Sequence, residues 1–363
     1  MKITDIRVDT LSIGPSLVRV ETDEGLTGLS EVGWHDPLLF RRYLDLTIKP
    51  LLVGTDPLQP GRHWERLVFG THERPYPTPI ALAGVVDIAL WDLMGKAAGL
   101  PIHAVLGGAA RTEFELYWSC GRGGDRTPAD MAAALQVGLD QGFRAFKIRM
   151  DWAPLRIDRD PGKDLEMARV CRELVGPDAW IGFDANRGYT VSTAIRQGRA
   201  LEGLGYAHFE EPLPHIDLPG VRRVADALDI PISTGENEAG RWRFRDLLAL
   251  ADPDILQPDI VDAGGISETV RIFELAEAHG KPVMPHSPAA GLLCIASLHA
   301  YATVPGGTRP HEFSVEYGPP PERIQELFLE PVLPVDGRIS LSDRPGLGLT
   351  LDERSVARHL TGT

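Results

Sequence analysis

The sequence predicts an α/β protein, a (β/α)8-type barrel preceded by a smaller α+β segment. Three observations carry this prediction. From about residue 115 short apolar runs alternate with helical segments, three carboxylates stand at the ends of three successive runs, and 363 residues exceed the roughly 250–300 at which a single core stops growing.

Residues 2–10 and 17–22 read as strands, and the turn Asp23-Glu24-Gly25 leads into a third strand from Leu26 to Val32, so the chain opens with an antiparallel meander. After Pro57 come helical stretches. The clearest begins at Thr78-Pro79, a capping hydroxyl and a first-turn proline, and runs through IALAGVVDIALWDLMGKAAG to a glycine stop at Gly99. It is apolar around most of its circumference, which predicts a buried helix. The later runs are ELYWSC, FRAFKIRM, WIGFDA, YAHFEEP, PISTGE, DILQPD, KPVMPH and RPHEFS, at spacings of roughly 25–35 residues. Eight β-then-α units are what a barrel needs, and barrels carry their chemistry at the C-terminal ends of the strands. The Gly- and Pro-rich stretch from about Leu333 to Leu351 is expected to return to the first domain.

Composition narrows the function. Hydrophobic residues at 43% and charged residues at 24% are ordinary globular usage. A net charge of −14, from 51 acidic and 37 basic residues, disfavours nucleic acid or an anionic membrane as the main partner. Three scattered cysteines (Cys120, Cys171, Cys294) have neither disulfide-framework nor metal-ligand spacing. The start MKITDIRVDT is unlike a signal peptide and nowhere are there 18 consecutive apolar residues, so a cytoplasmic location and no membrane insertion are expected.

Asp184, Glu210 and Glu236 end the third, fourth and fifth runs, each 26 positions after the last. Three converging anions repel unless a cation lies between them, and hard oxygen ligands select Mg2+. The alternative is three separate salt-bridged or capping acids, common on barrel loops; the shared register favours the metal. Strand alternation sends the neighbouring Glu211 and Glu238 elsewhere. Lys147 and Arg149, two apart on the second strand, share one side of it and offer two cations to a substrate carboxylate, or else pair with the acids. Asp259 ends the sixth run in Q-P-D and His286 the seventh in P-H-S. An acid beside an imidazole fixes its tautomer and raises its basicity, which makes His286 a candidate general base rather than a polar rim residue.

The segments F-D-A-N at 183–186, E-E-P at 210–212 and G-E-N at 235–237, with ALWDLMGKAAGLPIHAVLGG at 89–108, resemble the mandelate racemase branch of the enolase superfamily across nearly the whole chain. The resemblance implies a modified (β/α)7β TIM-type barrel, residues 114–332, with an N-terminal α+β capping domain, residues 1–113, and a C-terminal segment, 333–363, that returns to it. It implies Mg2+ on Asp184, Glu210 and Glu236, a polar Asn186 beside the first ligand, a His286–Asp259 dyad, a small-molecule carboxylate substrate and a homo-oligomer. Glu312, in H-E-F on the last strand, matches the position that hydrogen-bonds the substrate carboxylate, for which it must be protonated, a state that burial beside other carboxylates favours.

Two departures shape the expected function. Racemizing relatives carry Lys-x-Lys on the second strand, and here the second position is Arg149, a poor base because a guanidinium stays protonated. With His286 as the one competent base, α-proton abstraction followed by loss of a β-hydroxyl, a dehydration of an acid sugar or hydroxy acid to a 2-keto-3-deoxy product, is expected. Lys147 binds the carboxylate, and Arg149 and Glu312 stabilise the enolate. A racemase or epimerase, or a non-catalytic binding protein on the same scaffold, are the alternatives; cycloisomerases resembling this fold use a lysine where Asp259 stands and are disfavoured. The second departure is the short connection at Ser12 to Ser16, where relatives have a long loop over the substrate, so the pocket is expected to be more open or to be closed by another segment or subunit. Trp34, His35 and Tyr76, in other capping-domain loops, are candidate pocket residues or ordinary packing.

Overall fold

The first three strands, β1 (Ile3–Asp9), β2 (Leu17–Thr22) and β3 (Thr27–Glu31), pair antiparallel in that order, and β2 and β3 are buried along nearly their whole length. The computed structural model describes residues 1–14, 16–33, 35–72, 78–150, 157–287, 290–316, 320–330 and 333–361. The meander lies on the helix Ile80–Ala98, whose side chains are buried around most of its surface. Contact is close because Gly28 has no side chain; a Cβ there would stand 2.0 Å from the Ala89 carbonyl oxygen. The helix starts one residue later than the sequence suggests. Pro79 takes the N-cap position with no side-chain cap bond, and Gly99 ends the helix at φ +68°. Asp92, buried in this helix, accepts from the backbone N–H groups of Leu29 (2.8 Å) and Leu347 (2.7 Å) and from Lys96 (2.6 Å), tying the meander to the C-terminal segment.

The barrel follows. Strands β4 (Glu113–Cys120), β5 (Ala145–Arg149), β6 (Trp180–Asp184), β7 (His208–Glu210), β8 (Ile232–Thr234), β9 (Ile255–Leu256) and β10 (His311–Phe313) are parallel, in the order β10-β4-β5-β6-β7-β8-β9. The seventh run forms only two parallel bridges, Leu256 with Val283 and Asp259 with His286. Pro282 and Pro285 explain this, since neither donates a ladder hydrogen bond. Helices Pro128–Asp140, Pro161–Val175, Val191–Gly203, Leu218–Ala225, Gly240–Leu250, Ile266–Ala278 and Leu292–Tyr301 fill the crossovers, giving seven β/α units and a final strand, a (β/α)7β barrel.

Beyond it, β11 (Arg338–Ser340) pairs antiparallel with β4. The C-terminal residues then reach the meander: Arg19 meets Glu353 at 2.5 Å, Leu11 bridges Leu360, and the Ser12 N–H donates to the His359 carbonyl at 2.8 Å. The short β1–β2 connection is thus held by this chain's own C-terminal segment. Among the described residues no helix is long and apolar enough to cross a membrane, and the three cysteines are buried and unpaired.

Candidate active site

Parallel strands of one barrel end on one rim, and in register Arg149, Asp184 and Glu210 stand side by side at the ends of β5, β6 and β7. Gly235, at φ +131° and with Phe244 2.9 Å from where a Cβ would lie, turns the chain after β8 and brings Glu236 to the same rim. Asp184, Glu210 and Glu236 each offer an oxygen, all within 4.8 Å of one another. Burial pushes the Asp184 carboxyl well up, and the charge of Glu210 pushes it further. A trio of hard oxygen donors under mutual repulsion fits a divalent cation of the Mg2+ type.

Each acid is also held from outside. Asn186, at φ +44°, donates to both oxygens of Asp184, from its backbone N–H at 2.7 Å and its amide at 2.9 Å. Glu210 accepts from Lys147 Nζ at 2.5 Å and Gln257 Nε2 at 2.7 Å, with His208 Nε2 at 3.2 Å. Burial would raise Glu210, but Lys147 holds it below the usual carboxylate range. Glu211 lies outside the trio, buried against Arg187 and Asn237, and Glu238 pairs with His215 and Arg243.

Lys147 is fully buried, with Glu312 at 3.1 Å and Asp184 at 3.9 Å beside the Glu210 contact. Burial opposes its charge, and the facing carboxylates outweigh burial and hold it well above the ordinary lysine value. At Glu312 the shift runs opposite to the direction expected from burial beside other carboxylates. Burial alone would protonate it, but Lys147 and His286 pull it down to about 2, and the Ser287 N–H donates to it at 3.0 Å. Arg149 is buried one strand-repeat above Lys147, and its Nη2 meets Glu316 at 3.1 Å.

His286 Nδ1 lies 2.9 Å from Asp259 Oδ2, while Nε2 is 3.4 Å from Glu236 and 3.8 Å from Glu312. Asp259 Oδ1 accepts the backbone N–H groups of Val261 (2.8 Å) and Asp262 (3.1 Å), which fixes the carboxylate. Burial lowers the imidazole pKa, yet Glu236, Glu312 and Asp259 raise it to about 10. Of the capping-domain candidates, His35 Nε2 stands 3.3 Å from Asp262, three residues after Asp259; Trp34 and Tyr76 lie outside the described residues.

Sequence reasoning passed over Gln257, His208, Glu316 and Asp262. Gln257 had a signal, standing two residues before Asp259 and so on the same strand face; Glu316, four residues beyond Glu312, had none.

Comparison with known proteins identifies the chain's relatives. A family model for the "Enolase C-terminal domain-like" fold matches residues 130–355, and one for the "Mandelate racemase / muconate lactonizing enzyme, N-terminal domain" matches 9–107. The chain is 31% identical over 339 residues to an arabinonate dehydratase of Saccharolobus solfataricus, spanning 92% of this chain and 87% of that one. It is 32% identical over 351 residues to a D-galactarolactone cycloisomerase of Agrobacterium fabrum, spanning 94% and 89%. A crystal structure of a mandelate racemase/muconate lactonizing protein from Paracoccus denitrificans, complexed with magnesium, superposes with a TM-score of 0.90 at 36% identity, over 99% of this chain and 96% of that one.

Proposed function

We propose, for a chain that belongs to the mandelate racemase/muconate lactonizing family of the enolase superfamily, the Mg2+-dependent dehydration of an acid sugar to a 2-keto-3-deoxy acid. The observation that carries this reading is the His286–Asp259 dyad, whose second nitrogen Nε2 faces Glu236 of the carboxylate trio across 3.4 Å. Asp184, Glu210 and Glu236 would hold the ion. When bound, Mg2+ supplies the positive charge that stabilises the carboxylate oxygens of the substrate as negative charge builds on them.

The residues divide the work. With Nδ1–H committed to Asp259, the lone pair of Nε2 takes the C2 proton. For this the imidazole must be neutral, and cation binding favours that state because Glu236 then no longer adds its full charge to the field at His286. Electrons of the broken C2–H bond move into the C2–C3 bond as the C3–O bond breaks. The departing hydroxide takes the proton from the His286 imidazolium and leaves as water, and the enol tautomerises to the ketone. Lys147 keeps Glu210 and Glu312 charged and in place, and Arg149 adds a permanent cation above them.

The test is incubation of the purified protein with Mg2+ and a panel of sugar acids in D2O, followed by mass spectrometry. Loss of one water is the expected outcome. An isomer formed without water loss would favour the cycloisomerase activity for which the Agrobacterium relative is named. Deuterium uptake at C2 with water retained would favour an epimerase, and an inert protein that still binds the acids would favour a binding role.

A further inference from the structure

Glu316 takes no part in the chemistry above, yet it is the meeting point of three strand ends. It follows β10 and accepts from the Gly121 N–H just past β4, from Arg126 Nη1 at 2.7 Å, and from Arg149 Nη2 at 3.1 Å at the end of β5. Arg126 also donates to the Gly121 carbonyl at 2.9 Å, so the cluster closes on itself. The Arg149 side chain is 3% exposed and that of Glu316 13%, which places the pair away from bulk solvent.

A guanidinium has five donors in a rigid fork, so one fixed carboxylate contact sets the directions of the rest. Arg149 extends from the same strand face as Lys147, and its charge already reaches Glu312. Removing Glu316 would take away the counter-charge 3.1 Å from this guanidinium, leaving the pull of the rim acids less opposed. Electrostatic stabilisation depends on donors fixed before the reaction, because reorientation during it costs free energy.

We propose that Glu316 is a positioning residue that pre-sets the Arg149 guanidinium, through the Arg126–Gly121 anchor, as a fixed donor to the substrate side of the barrel mouth. The proposal rests on the dehydratase reading for its kinetic arm only. A residue that holds a charged group in this way typically accounts for roughly 10–100-fold in activity.

Three measurements test it. With the acid identified by the D2O panel, E316Q is expected to lower kcat by roughly 10–100-fold with KM changed by less than about threefold, and E316D to recover part of the loss. In the R149Q background, E316Q is expected to change kcat by less than about twofold, because its effect runs through a group already gone. Independent of any turnover, the Arg149 Nε–H resonance of the magnesium-loaded protein, assigned with R149Q, is expected to exchange slowly with solvent in the parent and quickly in E316Q. Parent-like kcat with an unchanged Arg149 resonance in a folded E316Q would overturn the proposal, as would losses that multiply in the double variant. A protein that turns over no acid but loses Arg149 protection in E316Q would sustain the positioning role while removing the dehydratase reading.

Discussion

Replacing Lys147 by methionine keeps the length of the side chain and removes the cation on which three carboxylates converge. The amine lies 2.5 Å from Glu210, 3.1 Å from Glu312 and 3.9 Å from Asp184, and Lys147, Glu210 and Glu312 are all fully buried. At an effective dielectric of about 20 these contacts are each worth about 4–7 kcal/mol in Coulomb energy, and desolvation of the four charges offsets most of it. What K147M should show is the cost of leaving buried anions without their partner, about 3–5 kcal/mol. The assay is urea unfolding at pH 7.5 in the presence of a chelator, read from the midpoint and slope. The pH dependence has a definite sign. Glu312 is held at about 2, below its unfolded value, so its contribution is complete above about pH 4.5 and is lost as pH falls toward 2. The gap between parent and K147M should therefore be widest at neutral pH and narrow below about pH 4.5. A loss under about 1 kcal/mol at pH 7.5, or one that grows on acidification, would refute the account of Lys147 as the electrostatic centre of the rim.

Three further outcomes are expected. H286N should fold and bind Mn2+, a spectroscopic stand-in for Mg2+, while its turnover falls by roughly 10²–10⁴-fold; near-parent turnover would assign the base elsewhere. Q257M removes the 2.7 Å bond to Glu210 without touching the trio, and Mn2+ affinity, followed by electron paramagnetic resonance, should weaken roughly 10–100-fold. Away from the site, His103 and His299 stack with their Nδ1 atoms 3.1 Å apart, and burial lowers both, His299 to about 3. Since the unfolded chain takes up protons that the folded one refuses, stability is complete above about pH 6.5 and falls toward pH 3, by up to about 1.4 kcal/mol per unit from His299. H299F should flatten that slope between pH 6.5 and 5 in urea melts, and an unchanged slope would place the acid sensitivity in other groups.

The sequence by itself determined the fold class, the meander, the buried helix and the carboxylate trio. These were legible for one reason: a β/α repeat returns every strand to the same rim, so Asp184, Glu210 and Glu236 needed only their places at the ends of consecutive runs to meet. The His286–Asp259 pair was legible on the same ground, one run further on. Other features belong to the tertiary structure alone. Whether Glu312 carries a charge depends on Lys147, far away in sequence and 3.1 Å away in space, and burial and ion pairing act on it in opposite directions. Arg149 finds Glu316 and Glu316 finds Arg126 only because closing the barrel brings β10 beside β4. Periodicity and spacing locate a side chain along its own element, whereas its protonation state and its partner are set by the sum of charges around it, and that sum exists only once the strands have packed.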